Sequence, residues 1–181
     1  YVKKAMSTDK YAKSKTPTIF FCGRHEPRKG LDVLLQAMQF LPSDVELWIA
    51  SDGTDTERLK REWAHDSRVK WLGRINDDEK IRRMQEATVF CAPSLHGESF
   101  GVVLLEAMVA GLPVVASNIS AIPEVLGTKH PGLCEVGNPK DFADKIYQSV
   151  GYKKSDVLKT NNVRLRLFSP ESSFREIECL Y

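Results

Sequence analysis

The run Thr18-Ile19-Phe20-Phe21-Cys22-Gly23-Arg24-His25-Glu26-Pro27-Arg28-Lys29-Gly30-Leu31 decides the fold. Its first five residues, Thr18 to Cys22, are a short apolar run that suits a strand buried on both faces. Gly23 opens a short polar loop. Leu31, Leu34, Leu35, Met38 and Leu41 then recur at helical spacing until Pro42 closes the pattern. Working outward, the same strand, loop and helix return along the chain. Strands are predicted at Val45–Ala50, Val69–Leu72, Thr88–Ala92, Pro113–Ala116 and Leu133–Val136. Helices are predicted at Glu57–Ala64, Asp78–Ala87, Phe100–Ala110, Ala121–Leu126 and Pro139–Val150, with two further helical stretches between 153 and 181. This alternation, with connections of a few residues, implies an α/β fold: a Rossmann-like parallel sheet with helices on both faces. Residues 1–16 are polar and lysine-rich and read as a linker; residues 17–181 read as one domain. In such sheets ligands bind beyond the carboxyl ends of the strands, where the strand order reverses. The loops after strands are where chemistry is expected.

Composition narrows the classes. The chain has 181 residues, 42% hydrophobic and 28% charged, the balance of a water-soluble domain with a full core. A net charge of +2 is too small to argue for nucleic acid. No apolar run reaches the length of a membrane-spanning helix. Lysines and arginines gather at both ends. They read as solvated surface, with contact to an anionic membrane or acceptor as the alternative. Cys22, Cys91, Cys134 and Cys179 are far apart and form no C-x-x-C pair, so they read as reduced thiols of a cytoplasmic protein, at most peripheral at the inner face of a membrane. No metal-spaced cluster and no hydrolase-like serine, histidine and acid order is present. His65 and His130 read as surface residues; His25 and His96 draw interest only through their loops.

Three post-strand loops carry the candidate chemistry. In the first, Gly23 allows a tight turn, and Arg24 and Lys29 lie five apart, near enough to face one anion. The alternative is a basic surface loop. The loop has neither a G-x-G-x-x-G nor a P-loop pattern. The second runs Pro93-Ser94-Leu95-His96-Gly97-Glu98-Ser99-Phe100-Gly101 into an apolar helix. Ser99 is a candidate N-cap, and the helix start is a natural phosphate site. Glu106 has Val102, Val103, Val109 and Ala110 three and four residues away, so its carboxylate is costly to bury without a partner. Two ribose hydroxyls would serve; nearby backbone or a reach to the surface is the alternative. Glu98 and Glu106 would stand roughly 12 Å apart if helix spans them, enough to hold a sugar at one end and a ribose at the other. In the third loop, Arg74 and Ile75 are placed to bind a base edge through backbone groups; an ordinary strand-to-helix loop capped by Asn76 or Asp77 is the alternative. The loop Ser51-Asp52-Gly53-Thr54 reads as a turn.

Together these residues resemble the retaining GT-B glycosyltransferases, the group of glycogen synthases, sucrose synthases and bacterial lipid mannosyltransferases. The likeness runs from about Thr18 to the end and belongs to the C-terminal half of that fold. It rests on Gly23-Arg24 followed by Lys29-Gly30, on Glu98 and Glu106 with seven residues between, on Glu106-Ala107-Met108-Val109-Ala110-Gly111-Leu112-Pro113-Val114-Val115, and on Ala121-Ile122-Pro123-Glu124. Phe168-Ser169-Pro170 is similar to the start of the family's last helix, with Pro170 where tryptophan is usual. Ser51-Asp52-Gly53 stands where a G-x-G is usual. The resemblance implies a nucleotide-sugar donor held by Gly23, Arg24, Lys29, Arg74, Ile75, Glu98, Ser99, Phe100, Gly101, Val102, Val103 and Glu106. Arg24 and Lys29 would stabilise the leaving diphosphate, Glu98 would position the sugar, and Glu106 would bind ribose. It further implies retention of configuration, no cofactor and no metal. The wording EPRKG and HGESFG favours GDP-mannose over a UDP-sugar. The acceptor, a glycan or lipid, would bind the N-terminal half of the fold. A non-catalytic nucleotide-sugar-binding partner is the alternative function.

Overall fold

A computed structural model of the chain describes residues 12–97, 101–119 and 121–168. The elements run β1 Thr18–Cys22, α1 Leu31–Ala37, β2 Glu46–Ala50, α2 Thr56–Glu62, β3 Val69–Gly73, α3 Asp77–Glu86, β4 Val89–Ala92, α4 Val102–Val109, β5 Val114–Ser117, α5 Ile122–Leu126, β6 Leu133–Cys134, α6 Pro139–Val150 and α7 Lys154–Leu165. The six strands form one parallel sheet in the order β3-β2-β1-β4-β5-β6. This is the doubly wound order expected of right-handed crossovers that reverse direction once.

Side-chain alternation splits the core into two layers. Ile19, Phe21, Val89 and Cys91 point to one face, where α1, α2 and α6 pack through Leu34, Leu59 and Phe142. Phe20, Phe90, Val114 and Ala116 point to the other, where α3, α4 and α5 pack through Met84, Leu104 and Val125. Phe20 and Phe90 meet edge to face at 6.0 Å on neighbouring strands. Both faces are covered, which is why these strands read as apolar runs without alternation.

Several boundaries differ from the sequence expectation, each for a local reason. The first helix ends at Ala37 and tightens into a 3-10 turn, Met38–Phe40. Strand β6 stops at Cys134 because the Glu135 N–H bonds the Asp141 carboxylate at 2.7 Å instead of a strand. Helix α4 begins at Val102, not Phe100. Its N-cap is Gly101, in the left-handed region at φ 64°, rather than Ser99. Ser99 and Phe100, like Glu98, lie outside the described residues, as do Cys179 and Ser169-Pro170, where a last helix is expected from the sequence. The end of the expected linker runs along α3, where Ser14 N–H donates to Glu86 O at 2.9 Å. His130 is half-buried rather than on the surface. Its Nδ1 accepts from Gly132 N–H at 3.1 Å, and burial, helped by Arg164, pushes its pKa down to about 4. Cys22, Cys91 and Cys134 are free thiols. Among the described residues no helix is long and apolar enough to cross a membrane.

Helix α7 closes the second layer by a polar contact. Asn161 is buried, and its Nδ2 donates to Met108 O and Leu112 O, both at 3.1 Å. These carbonyls belong to the end of α4 and the turn after it, where helix carbonyls lose their own partners. Met108 O also accepts from Gly111 N–H at 3.1 Å, so replacing Asn161 by alanine strips Leu112 O of its side-chain donor and Met108 O of one of two; unfolding free energy should fall by about 1–3 kcal/mol, read as an earlier urea midpoint with unchanged slope.

Candidate functional site

The order of the strands fixes where a ligand can sit. β1 and β4 are neighbours, yet the chain leaves them toward opposite faces of the sheet. Their following loops diverge and open a crevice between them. The loops are nevertheless laced together at their base. Gly30, which caps α1 at φ 66°, lies so close to Pro93 that a Cβ built there would meet Pro93 O at 1.9 Å. Leu95 N–H donates to Arg28 O at 2.8 Å, and Arg28 Nη1 reaches Gly97 O at 3.4 Å. Cys22, Gly23, Lys29, Ala92, Ser94 and Val103 line the crevice floor, which holds a cavity of about 30 Å³. A dimple of this size is a footing for a ligand, not an enclosure.

The basic loop divides its charges. Lys29 lines the crevice. Arg24 does not; its side chain is 65% exposed and bonds Glu26 at 2.9 Å, while the other Glu26 oxygen takes Arg28 at 2.9 Å. Of the two cations expected to face one anion, Lys29 lines the crevice, while Arg24 is held outside it by Glu26. An ion pair this exposed is weak, so a stronger anion can draw Arg24 away at small cost.

Across the crevice stands α4. Its first amides, at Val102 and Val103, have no partner within the helix and carry the positive end of its dipole. Val102 is 57% exposed, unusual for an apolar residue beside a core helix, and Val103 lines the floor. One turn on, Glu106 is buried, and its Oε1 accepts from Lys80 Nζ of α3 at 3.0 Å. Glu106 therefore does have a partner, a lysine rather than backbone. Cys22, at the end of β1, lies within electrostatic reach of this pair. Burial pushes the Cys22 thiol up to about 11, so it stays protonated and unreactive at neutral pH. Helix is described from Val102 onward in this stretch, and Glu98 lies outside the described residues.

A family model described as "Glycosyl transferases group 1" matches residues 16–150. The chain belongs to the group 1 glycosyl transferases. The phosphatidyl-myo-inositol mannosyltransferase of Mycobacterium leprae is 38% identical over 151 residues, covering 81% of this chain and 40% of that protein. The O-antigen chain mannosyltransferase B of Escherichia coli is 35% identical over 129 residues, covering 67% of this chain and 32% of that protein. The chain thus spans about two-fifths of the mannosyltransferase from M. leprae. Among solved structures, Alr3699/HepE of Anabaena, in complex with UDP, superposes with a TM-score of 0.77 at 22% identity, over 92% of this chain and 49% of that one. That likeness speaks to the fold.

The remaining loops of this glycosyl transferase domain close the rim. Arg74 is exposed and pairs with Asp52 at 2.7 Å, while Ile75 packs inward on the layer of α3 and α4. Asn76, not Asp77, caps α3, its side chain accepting from Glu79 N–H at 2.9 Å. His25 is buried, and its Nδ1 lies 2.8 Å from Thr56 Oγ1, which also accepts from Gly53 N–H at 2.8 Å. Burial lowers its pKa, so it is a neutral tie between the first and second loops. Larger pockets exist elsewhere. One of about 460 Å³ lies over His25, Asp52, Lys60 and Trp71. One of about 480 Å³ lies by His130 and Tyr152, at the amino end of β5, the pole opposite the crevice. The crevice that Lys29 and Val103 line is smaller than either of these pockets. Sequence reading missed Lys80. Its signal was a lysine in register with Met84 and Ala87, the buried stripe of α3.

Two backbone positions test this geometry with opposite signs. Gly30→Ala meets both a left-handed φ and the Pro93 carbonyl, and should cost more than about 2 kcal/mol in a denaturant titration. Ser51, where the family usually has glycine, sits at φ 85°, the one described non-glycine residue with positive φ. Ser51→Gly should stabilise by about 0.5–1 kcal/mol, seen as a higher Tm.

Proposed function

We propose that this chain is the donor-binding half of a retaining mannosyltransferase, taking its mannosyl group from GDP-mannose. The observation that carries the reading is that Lys29 and Val103, at the amino end of α4, line one crevice, with the buried Glu106 one turn further along the same helix. The mannosyltransferase names of the relatives support the sugar.

In transfer, the bond between the anomeric carbon and the diphosphate breaks and negative charge grows on the leaving phosphate. Groups placed where that charge develops lower the barrier. Lys29 supplies a full positive charge, the α4 amides supply oriented partial charges, and Arg24 joins once it leaves Glu26. These do the work that a divalent cation does elsewhere, so no metal is called for. Glu106 accepts from the ribose hydroxyls one turn along α4. Arg74 and Ile75 border the base, and Glu98 with Ser99 and Phe100 would hold the sugar from the loop before the helix. A floor cavity of about 30 Å³ cannot enclose the donor. The other wall and the acceptor, a lipid or glycan, belong to a second half of the GT-B fold.

Calorimetric titration of the chain with GDP, UDP and ADP tests this. GDP should bind most tightly, and Lys29→Ala should weaken it about tenfold to a hundredfold, the loss of one charge-assisted bond. A preference for UDP would move the donor to a UDP-sugar. Binding untouched by Lys29→Ala and Glu106→Ala would place the nucleotide elsewhere and overturn the reading.

A further inference from the structure

The partner of Glu106 carries an inference about how this site selects its ligand; it rests on the donor-site reading above. A glutamate has three rotatable bonds, and α4 offers nothing polar to restrain this one. Val102, Val103, Val109 and Ala110, three and four residues away, are all apolar. The side chain is only 9% exposed, so water does little to hold it either. Lys80 supplies the restraint from a different helix. Its Nζ donates to Oε1 at 3.0 Å, with its own side chain 17% exposed. On its other side Lys80 lies 3.5 Å from Asp77, whose side chain is 58% exposed. A half-buried ammonium is thus gripped between an exposed carboxylate and a buried one.

The division of labour follows from donor and acceptor chemistry. An ammonium has only donors. It cannot accept from a ribose hydroxyl, so it does not replace Glu106; it fixes the carboxylate through one oxygen. No described side chain bonds Oε2. We propose that Lys80 is a positioning residue: by anchoring Oε1 it presents Oε2 of Glu106 to the ribose hydroxyls, and thereby sets the preference of the site for a ribonucleotide over its deoxy form. Held in advance, the carboxylate loses little freedom when the ribose arrives. Released, it can swing out of the crevice or toward another cation, and the hydroxyls gain nothing from it.

The test compares GDP with 2′,3′-dideoxy-GDP, by calorimetry, on the parent chain, Lys80→Met, Glu106→Gln and the double variant, with circular dichroism confirming each fold. The parent should prefer GDP by roughly tenfold or more, the value of losing hydrogen bonds to a charged acceptor. Lys80→Met should reduce that preference to about threefold or less, while binding of the dideoxy form changes little. The double variant should lose no more than either single one, because the two residues act as a unit. Lys80→Arg, which keeps a donor at the same place, should restore part of the preference. A Lys80→Met chain that keeps the full preference overturns the inference and leaves the donor-site reading standing. A parent chain that does not distinguish the two nucleotides, or binds neither, overturns the ribose role of Glu106 and the inference with it. Were Lys80 merely structural, both nucleotides would weaken together.

Discussion

The site depends on one close approach of backbone to backbone, where Gly30 passes Pro93 with no room for a side chain. Parallel strands that send their chains to opposite faces leave a gap at their carboxyl ends. Without a tie, the two loops over that gap would be free to move apart. Here the tie is made of main chain: the missing Cβ of Gly30, and the bond from Leu95 N–H to Arg28 O. Main-chain contacts are short and stiff, so Lys29 on one loop and the start of α4 on the other hold a common frame. The lacing continues outward, since His25 and Thr56 tie the first loop to the one after β2.

Charges around the crevice follow a second rule: Arg24, Arg28, Arg74 and Lys80 each have an acid at hand. Glu26 holds Arg24 and Arg28, Asp52 holds Arg74, and Glu106 holds Lys80. The pairs differ in burial, and so in what they do. Those at the rim are exposed and exchange easily with solvent or ligand. The pair between α3 and α4 is screened from water, and breaking it leaves an uncompensated charge in a poor solvent. An open half-site can keep mobile cations at its edge and a fixed carboxylate at its floor by this difference alone.

Much of the fold was legible because period and punctuation agree. Runs such as Thr18–Cys22 with no polar face imply strands covered twice, and Gly111 and Pro113 follow α4 where its apolar pattern ends. Limits of elements were less legible because they turn on side-chain competition. The Asp141 carboxylate ends β6 by taking the Glu135 N–H, and nothing in Leu133–Val136 itself announces that. Likewise Ser99 looked like the better cap on composition. The cap is Gly101, because the chain enters α4 through a left-handed turn that glycine takes without strain.

The sequence by itself determined the α/β alternation, and with it the placing of Lys29 after β1 and of Glu106 on the helix after β4. These follow from residue type and short spacing, which fold locally. Only the tertiary structure decided which charged groups meet. Arg24 and Lys29 are five apart in sequence yet part company, since Glu26 captures one and the crevice takes the other. Lys80 and Glu106 are 26 apart and bond, because α3 and α4 pack on the same face of the sheet. A buried carboxylate announces in sequence that it needs a partner. Packing chooses who that partner is.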